Sequence, residues 1–434
     1  MIWYIGIAII LIGYMLRYIP IGITHPVPVL LAYWILMLPV KYFLMYAVGV
    51  SFSVSDYLVN NGGRYLFWFL LATALVHAFF VRVKTGFPLI EARPRFGFMV
   101  PTLALMGIVI TLYIATNGVV ALKDSLKIHI FSSSGIAAYF QIFMEFSAIV
   151  TIVQLSEARK KLQLALFFVL ITAYFVLLAR VGILVALIGV YASYLCMVRR
   201  FVPFKALIIV IAIIAPLALV QGMMRLSGGF TEKSFENVVL RLKSRDIEKV
   251  LVVLFSHRVD QLEAFASFSG RLDDQTIARD PISPLYIFAQ VLPRSVWPDK
   301  PKMFTDQMTS YVSPRISAAH TVRNFIGPSE MMYAFGPIIG IIITSLVYGY
   351  IFAVFDQYWA FCRNKSYAFL FIFITLGAYI NSASQSGLIA GGGTLQLAVN
   401  LSLLIAFTRI KINSLPRSTI SQSGARVRAL EMQH

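Results

Sequence analysis

Apolar runs of bilayer length, separated by short polar breaks, fill most of the chain. A helix needs about 20 such residues to cross a hydrocarbon core about 30 Å thick. On this pattern spans are predicted near 2–16, 27–52, 64–83, 98–115, 136–155, 162–179, 181–198, 205–224, 331–354, 367–381 and 394–408. The second is long and carries Pro39 and Lys41, so a kink or a split into a short re-entrant pair is expected. Met1-Ile2-Trp3-Tyr4 lacks a basic leader and reads as the start of a retained span. The expected fold class is an all-α polytopic membrane protein with about 11 transmembrane helices (10–12).

The pattern is interrupted at length once. Residues 225–330 carry fourteen Lys/Arg and twelve Asp/Glu. A connection this long is functional or unstructured, and here Thr231-Glu232 and Asp246 offer helix N-caps. Helices are expected near 232–244 and 247–268. The chain divides into spans one to eight (1–224), a large loop (225–330), spans nine to eleven (331–408) and a basic tail (409–434).

Composition agrees with the pattern. Of 434 residues, 59% are hydrophobic and 13% charged, about half the charged fraction of a soluble domain. The net charge of +18 raises the question of nucleic acid, and its distribution answers it. Eighteen Lys/Arg occupy one alternate set of short loops and the tail, against four (Arg64, Lys123, Lys127 and Arg180) in the other set. This positive-inside asymmetry puts the N-terminus outside and the C-terminus in the cytoplasm. The large loop is then periplasmic by parity, and loops of that length translocate largely regardless of charge. The tail is expected to be flexible and to lie on the anionic inner leaflet. The two cysteines, Cys196 and Cys362, lie outside the loop, so no disulfide framework holds it. There is no CxxC, HExxH or Walker A pattern, and Asp273-Asp274 is a bare pair. Nothing points to a bound metal or a soluble nucleotide. Nor do paired carboxylates run through the spans as in a proton pump.

Several groups carry candidate chemistry. From Leu162 to Val198 the only charge is Arg180, in a stretch of roughly 55 Å if helical, so the run must fold back near "LARVG". Arg180 then lies at outer headgroup depth, either snorkelling or binding a lipid phosphate. The segment "IEKVLVVLFSHRVDQLEAFASF" places Arg258 on an apolar stripe with Leu254 and Leu262. His257 and Asp260 stand one turn apart beside it, followed by Glu263, a spacing for an oriented imidazole or a general base. In "AAHTVRNFIGPSE", His320 and Arg323 repeat that spacing, with Glu330 at the membrane boundary. Glu145 with Gln141, Lys41 and His77 lie within spans as cavity groups or interhelical glue. "NSASQSGLIAGGG" (381–393) is a small, polar turn.

One stretch is unlike the rest. "PRSVWPDKP" holds Pro293, Arg294, Trp297, Pro298, Lys300 and Pro301. It resembles the PR-x-x-WP-x-KP signature in the external loop of bacterial oligosaccharide repeat-unit polymerases, the O-antigen polymerase (Wzy-like) family. "SHRVDQLEAF" (256–265) is similar to that family's upstream R-x-D helix, and "GPSEMMYAFG" (327–336) to its E-x-x-x-x-FG entry into the next span. As motif the likeness covers about 100 residues, and as layout most of the chain.

The resemblance implies a GT-C-like architecture. It also implies polymerisation of undecaprenyl-diphosphate-linked repeat units at the periplasmic face of the inner membrane, for O-antigen, capsule or exopolysaccharide. No metal or other cofactor is implied; a chain-length regulator protein is an implied partner. An acceptor hydroxyl attacks the anomeric carbon and undecaprenyl diphosphate leaves. The principal need is fixed cations where the diphosphate charge develops, which suits Arg180, Arg258, Arg294 and Arg323 with Lys300. His257, Asp260 and His320 are the candidate proton acceptors. Trp297 either stacks on sugar or anchors the loop at the interface, and Glu145, Glu263 and Glu330 are further sugar or cavity contacts. A ligase passing the glycan to another acceptor needs the same donor chemistry. A flippase or transporter for the same lipid would need none.

Overall fold

The structure is a computed structural model that describes residues 1–18, 26–47, 54–83, 88–124, 135–177, 191, 194, 261–290, 297, 299, 301–302, 304–312, 325–361, 366–377, 379–380, 388–389 and 393–413. The expected spans at 181–198 (Tyr191 and Tyr194 apart) and 205–224, and the expected helix at 232–244, lie outside the described residues.

The described chain is mostly helical. Helix α1 is Ile2–Leu16. Then α2 (Pro26–Ile35), a wider π-type turn (Leu36–Val40) holding Pro39, and α3 (Lys41–Ala47) form one bent element. The bend falls where proline removes a backbone donor, as expected. Next come α4 (Asp56–Val83), α5 (Met99–Asp124), α6 (Gly135–Glu157) and α7 (Lys161–Leu177). In the large loop, α8 (Gln261–Asp273), a 3-10 turn (Ser283–Tyr286), α9 (Ile287–Gln290) and α10 (Phe304–Val312) are described. The chain continues through α11 (Ser329–Phe335), α12 (Pro337–Phe361), α13 (Ser366–Ile372) and α14 (Gly393–Phe407). Asp56–Val83 and Pro337–Trp359 are long and apolar enough to cross a membrane.

Three expectations are corrected. The span expected at 331–354 is two helices. Gly336 separates them at φ 88°, a left-handed conformation that a side chain would strain, and Pro337 restarts the helix. The helix expected to end at 268 runs to Asp273, with Ser269, Gly270 and Leu272 packed inside protein. The all-α expectation fails at one place: β1 (Leu89–Pro94) pairs antiparallel with β2 (Thr408–Asn413), from Leu89↔Asn413 to Pro94↔Thr408. The ribbon joins the connection after α4 to the chain leaving α14, so the basic tail is ordered through Asn413. Tyr358 of α12 pins it, donating to Pro88 O at 2.8 Å and accepting from Ile90 N–H at 2.9 Å.

The core is built on α4, with α1 and α12 running parallel to it. Tyr4 donates to Val59 O at 2.9 Å near one end, and Tyr14 bonds His77 near the other. Ser345 likewise meets Phe69 O at 3.2 Å, and Asp356 meets His77 a few turns on. At that second end Asp356 gathers partners from two other helices. Tyr18 donates to Oδ1 at 3.0 Å, His77 Nε2 lies 3.0 Å from Oδ2, and the Arg17 guanidinium lies 3.5 Å from Oδ2. One tautomer satisfies the ring: Nδ1 accepts from Tyr14 while Nε2–H donates to Asp356. His77 is thus the interhelical glue that its place in a span invites.

Asp356→Ala strips the acceptor from these partners and should destabilise the fold by roughly 3 kcal/mol. The readout is the apparent Tm of the detergent-solubilised protein. Asp356→Asn, which keeps an acceptor, should lose less.

Candidate functional site

Helix α8 is the centre of the described part of the loop. Every residue from Gln261 to Gly270 is buried, although the sequence QLEAFASFSG is only half apolar. Such a helix is stable only with protein on all sides. Here α4, α10, α11 and the Leu36–Val40 turn supply that shell. Gly62 of α4 makes the close approach possible: a Cβ there would sit 3.0 Å from Ala266 Cα. Asp273 fastens the far end, accepting from Asn61 Nδ2 and Tyr65 OH, each at 2.6 Å, with Arg64 at 3.8 Å. Phe268, Phe304 and Phe325 close the other side with ring centroids 5.5–6.2 Å apart.

Helix α11 carries the second half of the site. Glu330 is fully buried, and its Oε2 accepts the Ile389 N–H at 2.7 Å. That bond ties α11 to the small, polar 381–393 segment, which Tyr379, just before it, also reaches by donating to Leu388 O at 3.2 Å. The carboxylate therefore holds a backbone turn against α11. Next to it, Tyr333 donates to Gln307 Oε1 at 3.2 Å. Tyr333 lies ahead of the α12 span; burial, and then the negative charge of Asp280, push its phenol up to about 12. Tyr286 is raised as well, first by its hydrogen bond to Asp280. Both remain neutral phenols near pH 7, able to donate to and accept from a sugar hydroxyl. The Arg279 guanidinium lies against Gly336.

The described candidates fall into two groups. Glu263 is buried within α8 and Glu330 within α11, two helices in contact. Trp297 is 42% exposed, open to an interface or a sugar. Glu145 is half-buried on α6, whose main contacts are with α5, α7, α13 and α14, not with the shell around α8. The other candidates, His257, Asp260 and His320 with Arg180, Arg258, Arg294, Lys300 and Arg323, lie outside the described residues. Asp260 immediately precedes the first described residue of α8. Sequence reasoning passed over Arg279, Asp280, Tyr286 and Tyr333. Isolated polar residues in a long loop carry no spacing signal, and only folding gathers them.

No protein-family model matches this chain, and comparisons with curated proteins and with solved structures find no significant match.

Glu330→Ala should leave the partly buried Ile389 N–H without this acceptor, at a cost of about 1 kcal/mol. Hydrogen exchange at residues 388–389 should accelerate, while exchange in α1 stays unchanged. For Tyr333 the sign is set by a folded pKa above the ordinary 10. Its stabilising contribution is complete below pH 10 and is lost as the pH approaches about 12. Tyr333→Phe should flatten that part of the stability–pH curve.

Proposed function

We propose that this protein polymerises undecaprenyl-diphosphate-linked oligosaccharide repeat units at the periplasmic face of the inner membrane. The observation that carries the reading is the meeting of two segments about 70 residues apart in sequence. The helix that follows "SHRVD" in sequence packs against the helix of "PSEMMYAF", and against α4 as well. These are two of the three stretches that resemble repeat-unit polymerases, and a shared site requires them to be neighbours. The third, around Trp297, presents an exposed indole. The parallel run of α1, α4 and α12 supports the layout, since spans one, three and nine of an eleven-span chain must point the same way.

In this reading the large loop sits over the outer ends of the spans and receives two lipid-linked glycans. Arg180, Arg258, Arg294 and Arg323, with Lys300, hold the diphosphate through charge-assisted bonds that strengthen as the leaving group gains charge. The prolines around Arg294 and Lys300 hold those cations in place, so little ordering is lost on binding. The acceptor hydroxyl gives its proton to His257, Asp260 or His320 as its oxygen bonds to the anomeric carbon. The C–O bond to the diphosphate breaks, and undecaprenyl diphosphate carries away the electron pair. Neutral phenols at Tyr286 and Tyr333 and the Trp297 ring offer contacts for the glycan.

The test is reconstitution of the purified protein with a lipid-diphosphate-linked repeat unit. A ladder of glycan lengths is expected, and Arg294→Ala or Arg180→Ala should reduce it by about 100-fold or more with insertion unaffected. Transfer of one block to a different acceptor would identify a ligase. Movement of the lipid across the bilayer without bond formation would identify a transporter.

A further inference from the structure

The turn between α6 and α7 is unusual in its backbone and in what it borders. Helix α6 ends at Glu157, and Lys160 N–H reaches back to Leu155 O at 3.1 Å. This closure requires a left-handed residue at position 159, where glycine is the usual choice. The residue is Arg159, at φ 54°. Lys161 then opens α7, whose N-terminus carries the positive end of the helix dipole.

Arg159 and Lys161 line a cleft of about 320 Å³. Its other walls include Leu155, Leu164, Phe168 and Tyr191, with the Phe168 and Tyr191 rings 5.2 Å apart. Leu164 and Phe168 are one turn apart on α7, so the cleft is cationic at its mouth and apolar along the helix. Its volume is at the lower end of small-molecule sites. The outer face of α7 exposes Leu162, Leu166, Val169 and Leu170, the composition of a helix flank that faces lipid. A molecule dissolved in the bilayer can therefore enter from the side. Glu157, the nearest acid in sequence, accepts from Tyr194 OH at 2.8 Å.

We propose that this cleft binds an anionic phospholipid, its phosphate between Arg159, Lys161 and the N-terminus of α7, its acyl chain along Leu164 and Phe168. Two cations and a helix N-terminus supply the charge complement of a phosphate. The apolar wall supplies what a free phosphate could not use. The proposal does not depend on glycosyl transfer, and it assigns a purpose to the costly backbone at Arg159: the cation is kept where glycine would be easier.

The experiment titrates the detergent-solubilised full chain with phosphatidylglycerol, phosphatidylcholine or inorganic phosphate. Bound lipid is followed by native mass spectrometry and stability by thermal shift. Phosphatidylglycerol should bind and raise the Tm, the other two should not, and Arg159→Ala or Lys161→Ala should each weaken its binding about fivefold. Lys160→Ala removes a charge from the same turn but not from the cleft wall, and should leave affinity unchanged. Arg159→Gly separates folding from binding: its lipid-free Tm should equal or exceed the parent's, while phosphatidylglycerol affinity falls. Equal binding of phosphatidylcholine would overturn the proposal, as would an equal shift with inorganic phosphate. So would a loss in Lys160→Ala matching that in Arg159→Ala, or full affinity in Arg159→Gly.

Discussion

A carboxylate among apolar helices must find partners or give up its charge, and Asp356 finds them. Arg17 and Tyr18 reach it from the end of α1 and His77 from α4, while Tyr14 holds the far side of the imidazole. His77 is fully buried and Asp356 mostly so, which strengthens the bond between them, while Arg17 stays partly in solvent and is screened. They fix the rotation and height of three helices at one end of the bundle. The opposite end of α4 is thereby presented at a defined height, and there α8 docks through Gly62 and Asp273. The candidate site is a consequence of that distant lock: α8 and α11 can meet only on a frame whose helices do not slide.

The two ends of the frame use different chemistry. At the Asp356 end, Arg17, Tyr18, His77 and Tyr14 are linked through one carboxylate and one imidazole. At the α8 end, Asp273, Asp280, Tyr286 and Trp297 reach the surface, while Glu330 is fully buried and accepts from the Ile389 N–H. The difference is one of exposure: the polar groups around Asp356 lie between helices, while several at the α8 end are open to solvent.

Much of the frame was legible in the sequence because bilayer-length apolar runs are a local signal. Helix α1 begins and ends where the run does, and Pro39 announced the bend after α2. What escaped was non-local. "MMYAFGPIIG" is apolar throughout, so hydropathy passes over the left-handed glycine that breaks it. "LIEARP" and "TRIKIN" are short and unremarkable alone, and they become strands only by meeting each other. The polar half of α8 looked like the end of a helix because its burial is conferred by neighbours from four other elements. Of the candidate site, Glu263, Glu330 and Trp297 could be placed, and Tyr333 with Arg279, Asp280 and Tyr286 became visible only through the fold. The cationic candidates rest on sequence, since they lie outside the described residues.

The ribbon has a consequence for how the chain is made. Its strands are separated by more than 300 residues, so Leu89 waits for Asn413 to leave the ribosome before the last pair can form. Helices α1 and α4 can pair early through Tyr4 and Tyr14, but the connection behind α4 goes without its strand partner throughout synthesis of the later helices. Closing it joins the first third of the protein to its final helix, on the cytoplasmic side of the expected topology, where the ribosome releases the chain. The ribbon is thus a completion mark: a product cut short before Thr408 leaves the Leu89–Pro94 backbone without its partner, a feature that distinguishes an unfinished chain from a finished one.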